Sequence, residues 1–394
     1  MSKRLLPFVA SIALGPALLL AQSAVSPGFD HFYNNEYDQA LAIFEAKVRT
    51  HPDSADAYNW VAQAILYREM YRDGSLESQL VTGSNAFLRR PKMEVSAEER
   101  KRFMDAVAHA IALGEDALKR NQKDIRALYA ISVAHGLRAN FLYLVEKSWI
   151  QSLHEAVAAR KANDQILEID PNFVDAHLIH GISEYAVGCL PAYLRLVGAV
   201  NGFHGDKEDG VKQLQLVAKQ GGGNRFDAAI LLAAIYRRDH RPKDAIPLLE
   251  TLARTFPRNH LFLFELVQMY SDLGDKDSAL KVLSQIEDAI RNKLPGFAGL
   301  PPERMQYARG NLFFWYGDLQ RSLADLKQVT ANSAALDLST AVMAWLRLGQ
   351  VCDLLGDHAR AADAYRMTIK TAPNSEPAKE AEHYIDKSYK RKTK

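Results

Sequence analysis

His177 and His180 lie three residues apart on a stretch whose periodicity predicts a helix, with Glu184 and Cys189 following. Imidazoles one turn apart share a helix face, and with a carboxylate or thiolate they make a donor set for zinc. A zinc hydrolase of the His-Glu-x-x-His kind needs its second histidine four residues on, and His154-Glu155 has none at that distance. His180 also takes a register position that faces a neighbouring helix, so no metal and no cofactor is expected. Gly221-Gly222-Gly223 would suit a phosphate loop, but no Gly-Lys-Ser/Thr follows and no strand precedes it. The run reads as the end of one helix and the entry to the next. No Gly-x-Ser-x-Gly elbow occurs. Cys189 and Cys352, the only cysteines, are expected to be two separate buried thiols rather than a disulfide. Residue types capable of chemistry are present, yet they form no catalytic set. The expectation is binding, with no enzymatic step.

The elements that carry these residues repeat. Leu232, Tyr236, Ala245, Leu249 and Leu252 recur at an offset of 34 residues as Leu266, Tyr270, Ala279, Leu283 and Ile286. Each set follows a 3.6-residue period broken by a turn, at Arg238-Asp239-His240-Arg241-Pro242 and again at Asp272-Leu273-Gly274-Asp275. The last unit has Trp345, Leu348 and Gly349 on its first helix, Gly356-Asp357 at the turn, Ala361 and Tyr365 on the second, and Pro373 as a stop. Asn35 to Ala40 with Phe44 and Pro52 marks a similar turn and second helix at the other end. This pattern resembles the tetratricopeptide (TPR) repeat. The resemblance implies an all-α solenoid of helix–turn–helix units, with a core that is a seam between neighbours and an extended concave surface.

About eight repeats are expected. The divisions are a leader over 1–23, irregular repeats with insertions over 26–225, regular repeats over 226–373, and a capping helix with a basic tail over 374–394. The stretch 72–96 reads as an excursion, and Leu294 to Pro302 as a structured loop too rich in Pro and Gly for a helix. Over 174–240, Leu190-Pro191, Gly202 to Gly210 and Leu214 are similar to a segment of the inclusion-body-clearance family of TPR proteins. That family is linked to mitochondrial outer-membrane or lipid-related processes and supplies no catalytic residues.

Lys3 and Arg4 precede an apolar run, Leu5 to Leu20, and a small-residue stretch, Ala21-Gln22-Ser23-Ala24. These are the marks of a secretory signal peptide cut near Ala21 or Ser23, without a lipoprotein cysteine, and they predict an exported, periplasmic protein. The whole chain has 49 basic and 47 acidic residues, and loss of Lys3 and Arg4 brings the two into balance. A balanced chain has no uncompensated basic charge with which to hold nucleic acid.

In TPR stacks the first helices line the concave face. Equivalent positions there are Gln63, Gln268, Asn311 and Gln350, with Tyr67, Arg237, Arg238, Trp315 and Asp353 within a turn. Side-chain amides donate to and accept from an extended backbone, and aromatic and Arg residues anchor interfaces. The expected partner is a protein or peptide in that groove. The alternative is a carrier that touches an apolar small molecule or a membrane surface through 185–203, which is rich in Leu, Val and Tyr and broken by Pro191. Oligomeric state is not encoded in this pattern.

Overall fold

The computed structural model describes residues 25–76, 93–189 and 205–391. Among these residues the regular structure is helical throughout, with no strand. Eight helix pairs follow one another. The first four are α1 (Pro27–Tyr33) with α2 (Tyr37–Thr50), α3 (Ala55–Arg72) with α4 (Ala97–Arg120), α5 (Ile125–Phe141) with α6 (Trp149–Ile169), and α7 (His177–Gly188) with α8 (Lys207–Gln220). The next four are α9 (Arg225–Arg238) with α10 (Pro242–Thr255), α11 (His260–Leu273) with α12 (Lys276–Arg291), α13 (Pro302–Trp315) with α14 (Leu319–Ala331), and α15 (Leu338–Leu354) with α16 (His358–Thr371). A final helix, α17 (Glu376–Asp386), covers the last pair. Each first helix packs on its own partner and on the second helix of the pair before it.

Local chemistry sets the boundaries. Side chains of Ser54, Ser96, Asp124, Asp206, Asn259, Asp275, Asp337, Asp357 and Ser375 accept hydrogen bonds from the first free N–H groups of their helices. Between first and second helix, a residue turns left-handed in every pair: Asn35, Gly74, Lys147, Gly205, His240, Gly274, Gly317 and Gly356. Of the ten residues that repeat at the fixed offset, nine are buried, which is what a seam core requires. Tyr270 is half-buried, and its hydroxyl donates to Glu250 at 2.8 Å. The helix expected from near Val145 begins instead at Trp149, after a π-helical turn (Leu142–Glu146) and a left-handed Lys147.

An open, evenly extended concave surface is not what forms. The first pair curls back onto the fifth and sixth. Arg258, at the α10–α11 turn, reaches Asp30 at 2.6 Å and Glu36 at 2.8 Å, and its backbone N–H donates to Asn34. Asn259 donates to the carbonyl of Tyr33 at 2.8 Å and accepts from Asn35 at 2.7 Å. The Tyr33 ring lies 4.9 Å from Phe256 and 5.5 Å from Phe226, in one apolar core that runs from Phe32 to Leu312. Burial alone would raise the Glu36 carboxyl, but hydrogen bonds from Arg258 and His31 outweigh it and hold the group below its usual range. The ring is closed by contacts some 224 residues apart in sequence.

Inside the ring the Tyr33 hydroxyl donates to Asp227 at 2.9 Å. Burial pushes the Asp227 carboxyl up to about 6, against the lowering effect of that hydrogen bond. A carboxyl raised on folding from 3.8 contributes stability that is present below the unfolded value and is lost as pH climbs from about 4 through about 6. Asp227→Asn removes this loss. Denaturant titrations across that window are expected to show the variant gaining on the parent as pH rises, and a constant difference between them would contradict the assignment.

The Pro- and Gly-rich loop after α12 is structured, as expected. Phe297 is buried, and the carbonyl of Gly296 accepts from His260 Nδ1 at 3.0 Å. A Cβ on Gly296 would lie 1.8 Å from the Arg258 carbonyl oxygen, so only glycine lets the loop lie against the clasp. Burial pushes the His260 imidazole down to about 4, which keeps it neutral at neutral pH.

Candidate binding groove

Ring closure leaves the first helices of the last three pairs as the concave strip that the clasp does not cover. Leu261, Phe264 and Glu265 of α11, Arg304, Tyr307 and Ala308 of α13, and Thr340 of α15 surround a notch of about 30 Å³. These spacings of three and four are one face of each helix, so three consecutive repeats present a single surface. The Arg304 guanidinium lies 5.3 Å from the centre of the Phe264 ring. Gln268 and Asn311 sit one turn further along their helices, and Trp315, 51% exposed, stands at the end of α13.

The nine residues expected in the groove separate. Gln268, Asn311 and Trp315 follow at helical spacing the residues of α11 and α13 that line the notch. The Gln268 amide donates to Asp272 at 2.7 Å, whereas the buried Oδ1 of Asn311 has no hydrogen-bond partner. Arg237 is buried and bridges α9 to α11 through Glu265 at 2.5 Å, so it ties repeats together. Arg238 is exposed, 5.9 Å from the Tyr185 ring.

The other four are placed differently. Tyr67, with Gln63 one turn before it, faces the ring interior: its ring packs 5.2 Å from Phe32 of the closing pair. Gln350 is buried and accepts from Arg347 at 2.7 Å. The Asp353 side chain has no exposed surface. It accepts from the Tyr365 hydroxyl, the Tyr389 N–H and His358, each at 2.7 Å. The tail after α17 folds over Asp353, a cover that a periodicity within one helix does not reveal. Arg347, Arg304 and Phe264 were missed. Arg304 precedes Asn311 by seven residues and Arg347 precedes Gln350 by three, so helical spacing carried the signal.

The residues weighed for chemistry have ordinary duties. Glu184 is held by Arg160 at 2.6 Å and by the N–H groups of Gly205 and Asp206, so it serves as a structural anchor between α6, α7 and the start of α8. Among the described residues no group of three or more potential ligands could hold a metal. The glycine run after α8 does bind an anion, but one of the chain's own. Gly222 and Gly223 donate to the Asp175 carboxylate, each at 3.1 Å. Cys189 and Cys352 are both free, Cys352 buried and Cys189 only half-buried. A broader hollow of about 420 Å³ beside α4, α5 and α6 is lined by Arg100, Met104 and His154 among others. Its charges are satisfied internally, Arg100 by Glu146 and Arg138 by Glu155. Of the apolar segment 185–203, Tyr185 is buried and donates to Asp239 at 3.0 Å. Residues 190–203, with most of the segment similar to the inclusion-body-clearance family, lie outside the described residues. No helix among the described residues is long and apolar enough to cross a membrane.

Residues 29–68, 230–292 and 307–376 match the tetratricopeptide repeat family. These spans contain α2, α10 to α12, α14 to α16 and the turns that define the pairs. The chain is a tetratricopeptide-repeat protein. Repeats of this family build surfaces for protein interaction, here as an all-α solenoid. Tetratricopeptide repeat protein 8 of Caenorhabditis elegans is 24% identical over 230 residues, covering 50% of this chain and 44% of that one. The TPR protein described here therefore spans less than half of that relative. Among solved structures, the TPR domain of P58(IPK) is 13% identical with a TM-score of 0.24, covering 91% of this chain and 86% of that one. A chain of the Naa15/Naa10 structure bound to HypK-THB is 14% identical with a TM-score of 0.21, covering 91% and 64%. The family assignment rests on the repeats themselves.

Proposed function

We propose that this protein is an exported scaffold that binds an extended segment of a protein partner on the concave strip of α11, α13 and α15. The observation that carries the reading is the unpaired, buried Oδ1 of Asn311, one helical turn before the half-exposed Trp315. A buried acceptor without a donor costs stability, and a passing backbone N–H satisfies it. No nucleophile, metal set or activated acid faces the strip, so binding needs no covalent step. Export rests on the leader-like residues 1–23.

Photo-crosslinking in intact cells, with mass spectrometry of the recovered complex, tests both parts. A crosslinker at Gln268 or Asn311 is expected to trap a partner, and the same group at the exposed Gln328 on α14 is not. The recovered chain is expected to begin just after Ala21 or Ser23. Equal trapping at all three positions overturns the groove assignment, and a retained Met1 overturns export.

A further inference from the structure

Four arginines of the described residues are buried: Arg68, Arg160, Arg237 and Arg347. Three hold a carboxylate in close contact, Arg68 with Glu99 at 2.5 Å, Arg160 with Glu184 at 2.6 Å, and Arg237 with Glu265 at 2.5 Å. Arg347 is the exception. It is 8% exposed, its Nη1 donates to Gln350, and its buried Nε has no hydrogen-bond partner. What surrounds it is aromatic: its guanidinium lies 4.2 Å from the Phe314 ring centre and 4.9 Å from that of Trp315. Arg391, from the tail, lies 5.1 Å from the same Phe314 ring. Two cations thus share one ring, and Glu380 of α17 acts on Arg347 from a distance without pairing with it. Burial pushes the pKa of the Arg347 guanidinium below its ordinary value. A guanidinium nonetheless keeps its charge, and a buried charge that makes no direct ion pair is costly.

The neighbouring unsatisfied group indicates what brings the counter-ion. Asn311, on the same helix as Trp315, needs a donor, while Arg347 needs an acceptor. A free inorganic anion answers only the second need. A peptide answers both, its backbone N–H meeting Asn311 and an acidic side chain meeting Arg347. We propose that Arg347 is the docking point for an Asp or Glu side chain of the segment bound in the groove, with Trp315 as the apolar wall beside it. This rests on the groove reading above and adds the chemistry of the partner. Trp315, the exposed member of the aromatic pair around the guanidinium, is half in solvent.

The test selects short random peptides displayed on phage against the full chain, then measures end-blocked synthetic copies of the selected sequences in solution. Selected peptides are expected to share an acidic residue at one position. Changing it to the matching amide should weaken binding about 10- to 100-fold, the loss of a charge-assisted hydrogen bond. Arg347→Met should weaken the acidic peptide by a similar factor, and the amide peptide hardly at all, because the two changes remove one contact. Should Arg347→Met unfold, the peptide substitution on the unaltered protein still decides, and Arg391→Ala is expected to weaken binding less. Peptides that require Gln268 and Asn311 but show no acidic preference overturn this inference and leave the groove reading in place. Peptides indifferent to Gln268 and Asn311, or no selected peptide at all, overturn both.

Discussion

Phe256→Ala is expected to open the ring. Phe256 is fully buried, tilted against Tyr33 at 4.9 Å and edge-on to Phe226 at 4.8 Å. Truncating a buried Phe costs about 3–5 kcal/mol, the lost transfer energy plus that of the cavity. Here the cavity lies at the contact between the first pair and the fifth, so the loss falls on closure more than on any one repeat. The remaining clasp is polar and half-exposed: the Arg258 side chain is 28% exposed, Asp30 38% and Glu36 21%. Such pairs are worth little once the apolar contact is gone. Small-angle X-ray scattering should show a larger radius, and amide exchange should accelerate over residues 27–50 and 225–260. Exchange over 302–386 should stay as it was, because coupling in a solenoid passes between neighbours. Uniform acceleration along the chain would mean that closure is not a separable contact.

Gly349→Ala is expected to loosen the last pair and little else. A Cβ at Gly349 would lie 2.4 Å from Tyr365 Cε1 and 2.6 Å from Cδ1. The Tyr365 ring cannot retreat, since it is fully buried and its hydroxyl is fixed to Asp353 at 2.7 Å. Alanine gains about 1 kcal/mol of helix propensity, and overpacking of a filled core typically costs about 1–3 kcal/mol and occasionally more. With a rigid partner the clash wins, for a net loss of about 1–2 kcal/mol confined to α15, α16 and α17. Gly136→Ala is the control. Its added Cβ meets nothing within 4 Å, so only the gain of about 0.5–1 kcal/mol remains. The two substitutions should therefore move the thermal midpoint in opposite directions. A stabilised Gly349→Ala would mean that the helices of this pair do not approach as closely as Gly349 and Tyr365 do here.

The repeat, the number of pairs and the seam were legible without coordinates. They depend on contacts between residues close in sequence, and these leave a period: Leu232 and Leu266, Ala245 and Ala279, and Leu249 and Leu283 face the same kind of neighbour in successive units. Caps such as Asp275 and Asp357 and turns such as Gly274 and Gly356 are set by their own few residues. Spacing gives a helix face and no more: Gln268, Asn311 and Trp315 share the period of the residues around the notch. Asp353 has the same spacing and is covered, because a tail more than thirty residues away, carrying Tyr389, closes over it.

The sequence by itself determined that this is a solenoid of eight helix pairs, since helix periodicity, capping and seam packing are all local. Tertiary structure alone decided that the first pair closes on the fifth and sixth, and that Arg347 is buried without an ion pair. Closure joins Tyr33 to Asp227 and Asp30 to Arg258 across some two hundred residues. Whether such residues meet depends on small rotations added up over every repeat between them. No single stretch of sequence contains that sum.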